Sequence, residues 1–185
     1  MTTTELRPPG YVVGSWTVDP VHSYVGFAIK HMMVSRVRGH FTSFSAQLTT
    51  TEAPLGSQVS ASIDVSSIDT NNALRDDHIR SADFFDAANH PTMTFRSAGI
   101  RMEQGRYYID GDLTIRGVTR PITLVAEPPE FGHGPDGGVK AGISATAEIN
   151  RSDFGVSYNG PIPGGGRALG ERVQIVLDIE ADLNA

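Results

Sequence analysis

Apolar and polar residues alternate with a period of two along most of this chain. Val25, Phe27 and Ile29 alternate with Gly26, Ala28 and Lys30. Val59, Ala61, Ile63 and Val65 alternate with Ser60, Ser62, Asp64 and Ser66. Met93 and Phe95 continue the pattern, as do Tyr107, Ile109, Gly111, Leu113 and Ile115, and the odd positions from Val139 to Ile149 and from Val173 to Leu183. This period sends successive side chains to opposite faces of a pleated strand. Between Phe41 and Phe44 the apolar positions step from odd to even, which predicts a bulge near Thr42 and Ser43. Residues 127–138 and 155–170, rich in Gly and Pro, read as long loops, the second made flexible by Gly164-Gly-Gly166.

One stretch breaks the alternation. Residues 72–88 place Leu74 with His78, and Arg75 with Ile79, at i, i+4. Ser81 reads as an N-cap with Asp83 in the first turn after it. The expectation is a short helical insertion in an otherwise all-β chain of roughly eight or nine strands. Short connections favour an antiparallel up-and-down meander, and closure into a barrel removes its edges. Barrels of about eight strands are either filled by side chains or hold one ligand. Ala141, Ala145 and Ala147 on the Val139–Ile149 strand are small, which favours a cavity.

Composition narrows the function. The 185 residues suit one domain, expected over 15–185, after a disordered lead-in at 1–14. The formal charge is -6 with no Lys/Arg run, which argues against nucleic acid and against an anionic membrane surface. There is no cysteine, so thiolate chemistry and Cys-ligated metals are excluded. Neither a Sec-type signal nor a long apolar run is visible, so a cytoplasmic protein without stable membrane insertion is expected.

Candidate chemistry is sparse. His22, His31 and His40 recur every nine residues, a spacing that puts strand neighbours on opposite faces and far apart, so no metal site is expected. His31 follows the parity of Val25, Phe27 and Ile29. It is either a hydrogen-bonded structural histidine or a ligand contact. Asp76 or Asp77 beside His78 resembles an acid–base pair only in composition, because adjacent helical positions do not face each other. Capping and salt bridging are expected there. Asp19, His22 and Ser23 have the residue types of a hydrolase triad, but neighbours in sequence do not form that relay and no Gly-x-Ser-x-Gly elbow exists. Their expected role is a hydrogen-bonded corner that fixes the first long strand. Arg151 and Asp153 share the parity of Ile149; on a continued strand both would face inward. A buried arginine there pairs with an acidic side chain or meets an anionic head group. No catalytic residue is assigned.

A series of motifs runs through the chain: Val18-Asp-Pro-Val-His-Ser23, Phe27, Lys30-His31, Val37-Arg-Gly-His-Phe41, Phe44, Ile68-Asp-Thr-Asn-Asn72 and Arg75-Asp-Asp-His78. It continues through Ser81-Ala-Asp-Phe-Phe-Asp86, Pro91-Thr-Met-Thr-Phe95, Gly111-Asp-Leu-Thr-Ile-Arg-Gly-Val-Thr119 and Asn150-Arg-Ser-Asp-Phe-Gly155. In these motifs and their order the chain resembles the YceI-like family of polyisoprenoid-binding proteins. The resemblance implies an extended antiparallel eight-stranded lipocalin-like β-barrel, with a helix beside its mouth and a long isoprenoid chain in its cavity. A polyprenyl diphosphate or an isoprenoid quinone is the implied ligand, with no further cofactor.

Strand parity then nominates the wall. Val25, Phe27, Ile29, Ile63 and Val65 come from the first half, and Met93, Phe95, Leu113, Ile115, Ile143 and Ala145 from the second. Phe84 and Phe85 would cover the mouth. His31, Arg75, His78 and Arg151 are the head-group candidates. Each buried methylene contributes about 0.8 kcal/mol, so ten give roughly 8 kcal/mol before ordering costs. Two other readings stay open: an enzyme acting on a small amphipathic substrate, and stress-related sequestration of lipophilic compounds. Exposed edges and long loops leave surface for a homodimer, which no residue pattern specifies.

Overall fold

A computed structural model describes residues 7–160 and 168–185. The described residues form twelve strands. They are β1 (Gly14–Val18), β2 (Tyr24–His31), β3 (Ser35–Phe41), β4 (Phe44–Thr50), β5 (Gln58–Asp64) and β6 (Ile68–Asp69), then β7 (Thr92–Glu103), β8 (Arg106–Ile115), β9 (Val118–Ala126), β10 (Glu130–His133), β11 (Val139–Asn150) and β12 (Leu169–Leu183). The helix α1 (Ala73–Arg80) lies between β6 and β7.

Pairing closes the sheet. The order β11-β9-β8-β7-β5-β4-β1-β12 returns to β11 through the β11–β12 ladder, giving a ring of eight antiparallel strands. The other four continue members of this ring beyond a bend. β2 prolongs β1 along β12, and β3 prolongs β4 along β2. β6 prolongs β5, and β10 prolongs β9 along β11. The expected eight-stranded meander is therefore present, with bends in four of its long strands.

Each bend has a local cause. At Asp19–Ser23 the Asp19 N–H donates to the Glu180 carbonyl at 2.8 Å. The Glu180 N–H donates back to Ser23 Oγ at 2.9 Å. At Thr42 and Ser43 the two backbone N–H groups leave the ladder, donating to the carbonyl and Oγ of Ser67 at 3.2 and 3.0 Å. The bulge expected there is matched by a 3₁₀ turn at Val65–Ser67, capped by Asp64 accepting from the Ser66 N–H. Between β9 and β10, Pro128 and Pro129 cannot donate to a ladder.

Three sequence expectations change. Residues 127–138 are not one long loop, because Glu130–His133 pairs with Val139–Gly142. Phe131 supplies the reason: its ring packs 5.5 Å from Tyr11 and 5.7 Å from Trp16. The helix is capped by Asn72, which accepts from the Arg75 N–H; Ser81 terminates it and opens the turn that follows. Residues 7–13, expected within a disordered lead-in, lie against the barrel, where the Tyr11 hydroxyl donates to the Thr51 carbonyl at 2.9 Å. Residues 1–6 and the Gly164-Gly-Gly166 segment lie outside the described residues.

Candidate functional site: an apolar cavity with a polar mouth

The barrel encloses a cavity of about 620 Å³, within the range of about 300–1,000 Å³ typical of small-molecule sites. Its wall follows from the strand period. Val25, Phe27 and Ile29 of β2 line it, as do Ile63 of β5 and Met93 and Phe95 of β7. Leu113 and Ile115 of β8, and Ile143 and Ala145 of β11, complete the predicted set. Phe84 and Phe85, in the turn after α1, line it too, and Phe85 packs 6.2 Å from Phe41.

Val65 is the exception. It is buried in the core but lies in the 3₁₀ turn rather than on a strand, and it does not line the cavity. Parity cannot anticipate a bend imposed by Ser43 and Ser67 across the sheet. The same parity places Val173, Ile175, Leu177 and Ile179 of β12 on the cavity wall.

The two ends differ. At one end Tyr11, Phe131, Thr50 and Ser57 form a floor. Beneath it Trp16, fully buried, donates its indole N–H to Thr50 Oγ1 at 2.8 Å. At the other end, residues that line the cavity also reach solvent: the His78 side chain is 45% exposed and Tyr158 is 42% exposed. This end is the mouth.

All four head-group candidates line the cavity, and contacts gather them at the mouth. His31 pairs with Leu169 at the start of β12. Arg151 donates to the neighbouring Gly170 carbonyl at 2.8 Å and to the Tyr158 carbonyl at 2.8 Å. The Tyr158 ring packs 5.1 Å from His78 and 5.3 Å from Phe84. Arg75 is one helical turn before His78 on α1. Tyr158 was not foreseen; a lone tyrosine after a glycine turn carries no periodic signal.

The candidates differ in how much of their hydrogen bonding the protein supplies. Arg151 is 4% exposed and also donates to the Val156 carbonyl at 2.8 Å, with Glu171 at 3.8 Å. It does not sit on a continued strand. β11 ends at Asn150, a 3₁₀ turn covers Arg151–Phe154, and Gly155 closes it in the left-handed region at φ 74°. Asp153, expected inward, is exposed on that turn. Arg75 donates to Thr70 Oγ1 and the Thr70 carbonyl at 2.8 and 2.6 Å. His78 meets Asp83 at 2.7 Å rather than Asp76 or Asp77. The His31 ring has no hydrogen-bond partner among the described residues, so of its two expected roles the structural one lacks its bond.

Asp19, His22 and Glu180 form the cluster of metal-ligand types found among the described residues. It stands at the surface, away from the cavity wall. Lys140 Nζ already lies 3.4 Å from Glu180, and His22 meets Asp19 at 2.7 Å. That hydrogen bond is the chief cause of a raised His22 pKa and a lowered Asp19 pKa.

The YceI-like domain profile matches residues 16–181, nearly the whole barrel. The chain belongs to the YceI-like family. Protein YceI of Escherichia coli O157:H7 is 36% identical over 161 residues, covering 86% of this chain and 81% of that protein. The crystal structure of Burkholderia cenocepacia BcnA superposes with a TM-score of 0.74 at 26% identity, covering 88% of this chain and 98% of that one. A polyisoprenoid-binding domain from Saccharophagus degradans shares the fold, with a TM-score of 0.67 at 12% identity over 94% and 100% of the two chains. Among the described residues no helix is long and apolar enough to cross a membrane.

Proposed function

We propose that this YceI-like protein is a binding and carrier protein for a long-chain isoprenoid lipid, a polyprenyl diphosphate or an isoprenoid quinone. The observation that carries this reading is the cavity: a closed barrel whose interior, about 620 Å³, is walled by aliphatic and aromatic side chains from floor to mouth. An apolar chain in that space leaves water along its length. The mouth supplies the polar groups. His31, without a hydrogen-bond partner for its ring among the described residues, is the group available to a carbonyl, hydroxyl or phosphate oxygen, and the Arg75 and His78 side chains frame the same opening. The polyisoprenoid-binding domain from Saccharophagus degradans, which shares this fold, supports the ligand class.

The test is organic extraction of the purified protein followed by mass spectrometry, on wild type and on Ala145→Phe. Ala145 is 6% exposed and lines the cavity, so a phenyl group there occupies ligand space. The expected result is a near-stoichiometric isoprenoid in the wild type, lost in Ala145→Phe with an unchanged circular dichroism spectrum. A wild-type protein empty of isoprenoid, or one whose lipid content the substitution leaves unaltered, overturns the reading. An empty, water-filled barrel would instead favour an enzyme acting on a small amphipathic substrate.

A further inference from the structure

The β2–β3 hairpin ends in Met32, Met33 and Val34, and the last two are 73% and 87% exposed. The turn is tight, with the Val34 N–H donating to the His31 carbonyl at 3.2 Å. Met32 and Met33 hold φ at 53° and 62°, the left-handed region. Turn positions in this region favour Asn and Gly, which tolerate positive φ. Here the strained positions carry two flexible apolar side chains, aimed at solvent.

The strands behind the tip carry positive charge. Lys30 and Arg36 are direct cross-strand partners, and Arg38 follows on the same face opposite Ala28. None of the three has an acidic partner among the described residues. Like charges placed opposite each other weaken a strand pair. In a chain of net charge -6, this face and this turn both run against what folding alone favours. The feature also belongs to the mouth: the Met32 N–H donates to the Ala168 carbonyl at 2.8 Å, and Ala168 and His31 line the cavity. Leu74 of α1, at the same end, is 83% exposed.

We propose that this hairpin is a membrane-docking tip, with Met32, Met33 and Val34 entering the interfacial layer of an anionic lipid bilayer while Lys30, Arg36 and Arg38 meet its phosphates. Apolar insertion and attraction of basic residues to anionic lipid reinforce each other at a bilayer surface. Methionine suits the insertion because its unbranched side chain adapts to a fluid environment. The net charge of the whole chain argued against such a surface, but the charges that meet a bilayer are those within about 10 Å of it at ordinary salt. Docking by this tip brings the cavity mouth to the membrane, where an isoprenoid resides. The purpose rests on the carrier reading; the docking itself does not.

Cysteine-free sequence makes the test direct. Val34→Cys is labelled with an environment-sensitive fluorophore, and Gln104→Cys, in the β7–β8 turn at the floor end, serves as control. Each is mixed with phosphatidylcholine vesicles with and without phosphatidylglycerol. The expected result is a blue shift at position 34 with the anionic vesicles alone, reversed by high salt, and no shift at position 104. Each cation near an anionic surface contributes about fivefold, so Lys30→Gln with Arg36→Gln is expected to weaken vesicle binding about 25-fold. Absence of a shift, equal shifts at both positions, or equal binding to neutral vesicles overturns the proposal. So does a dimer, detected by light scattering without vesicles, that Val34→Asp dissociates, since a second copy would then cover the tip. Isoprenoid content is measured on the same preparations. Docking of an isoprenoid-free protein sustains the tip and removes the carrier reading; bound isoprenoid without docking does the reverse.

Discussion

Asp76 accepts two hydrogen bonds from Thr70, one from the backbone N–H at 2.9 Å and one from the hydroxyl at 2.5 Å. Both residues are buried, and the pair fastens the first turn of α1 to the end of β6. Arg75 donates to the same threonine, so the helix that frames the mouth is tied down at one point.

Breaking that tie leaves two buried donors of Thr70, its N–H and its O–H, without their acceptor. Asp76→Ala is expected to lower stability by about 2 kcal/mol, in the range for hydrogen bonds to a charged group. Urea denaturation measures the loss. Hydrogen exchange should quicken first at residues 73–80, and uniform quickening over the barrel would show that the tie is not local.

Gly111 and Gly99 lie on paired strands of the same hairpin but face different surroundings. A Cβ at Gly111 would stand 2.5 Å from the Arg96 carbonyl oxygen and 2.5 Å from the Phe95 ring. One at Gly99 would meet nothing within 4 Å. Gly111→Ala is expected to cost about 1–3 kcal/mol through overpacking. Gly99→Ala is expected to leave stability unchanged or raise it by up to about 1 kcal/mol, because alanine restricts the unfolded chain. Equal effects in denaturant titrations would refute the contrast.

Arg151 joins three carbonyls from two segments, those of Gly170, Val156 and Tyr158. Lysine keeps the charge but loses the planar fork. Arg151→Lys is expected to cost about 2 kcal/mol, which for a chain of this size lowers the thermal midpoint by about 4–8 °C. An unchanged midpoint in a calorimetric scan would remove Arg151 from the structural frame of the mouth.

The Asp19–His22 corner predicts a pH signature. His22 is raised above its usual value of about 6.5, chiefly by its hydrogen bond to Asp19. Its contribution to stability is therefore complete below that value and lost as pH rises through the folded pKa. Asp19 is lowered by the same bond. Its contribution is complete above the usual carboxylate value of about 3.9 and lost as pH falls through the depressed one. Both charges coexist in the window between. An NMR titration of the His22 ring should give a pKa above the usual value, returning towards it in Asp19→Asn; an identical titration in the two proteins would contradict the pairing.

The alternation in the sequence determined the strands and named most of the cavity wall. Val25, Phe27, Ile29, Leu113 and Ala145 face inward because a pleat assigns faces by parity, and parity is written locally in the chain. It also indicated the bulge at Thr42 and Ser43, the helical insertion and the corner at Asp19. Tertiary structure decided the rest. Val65 left the wall because Ser67, two residues on, accepts from Ser43 in the bend between β3 and β4. Phe131 drew residues 130–133 into a strand because Tyr11 and Trp16 waited for its ring. Arg151 and Asp153 parted because a glycine closed a turn on which Arg151 found the carbonyls of Val156, Tyr158 and Gly170. The opposition of Lys30 and Arg36 exists only once β2 and β3 are in register. For Val65, Phe131 and Lys30 the deciding partner lies on another segment of the barrel or hairpin, and closure of the barrel is what brings His31, Arg75, His78 and Arg151 around one mouth.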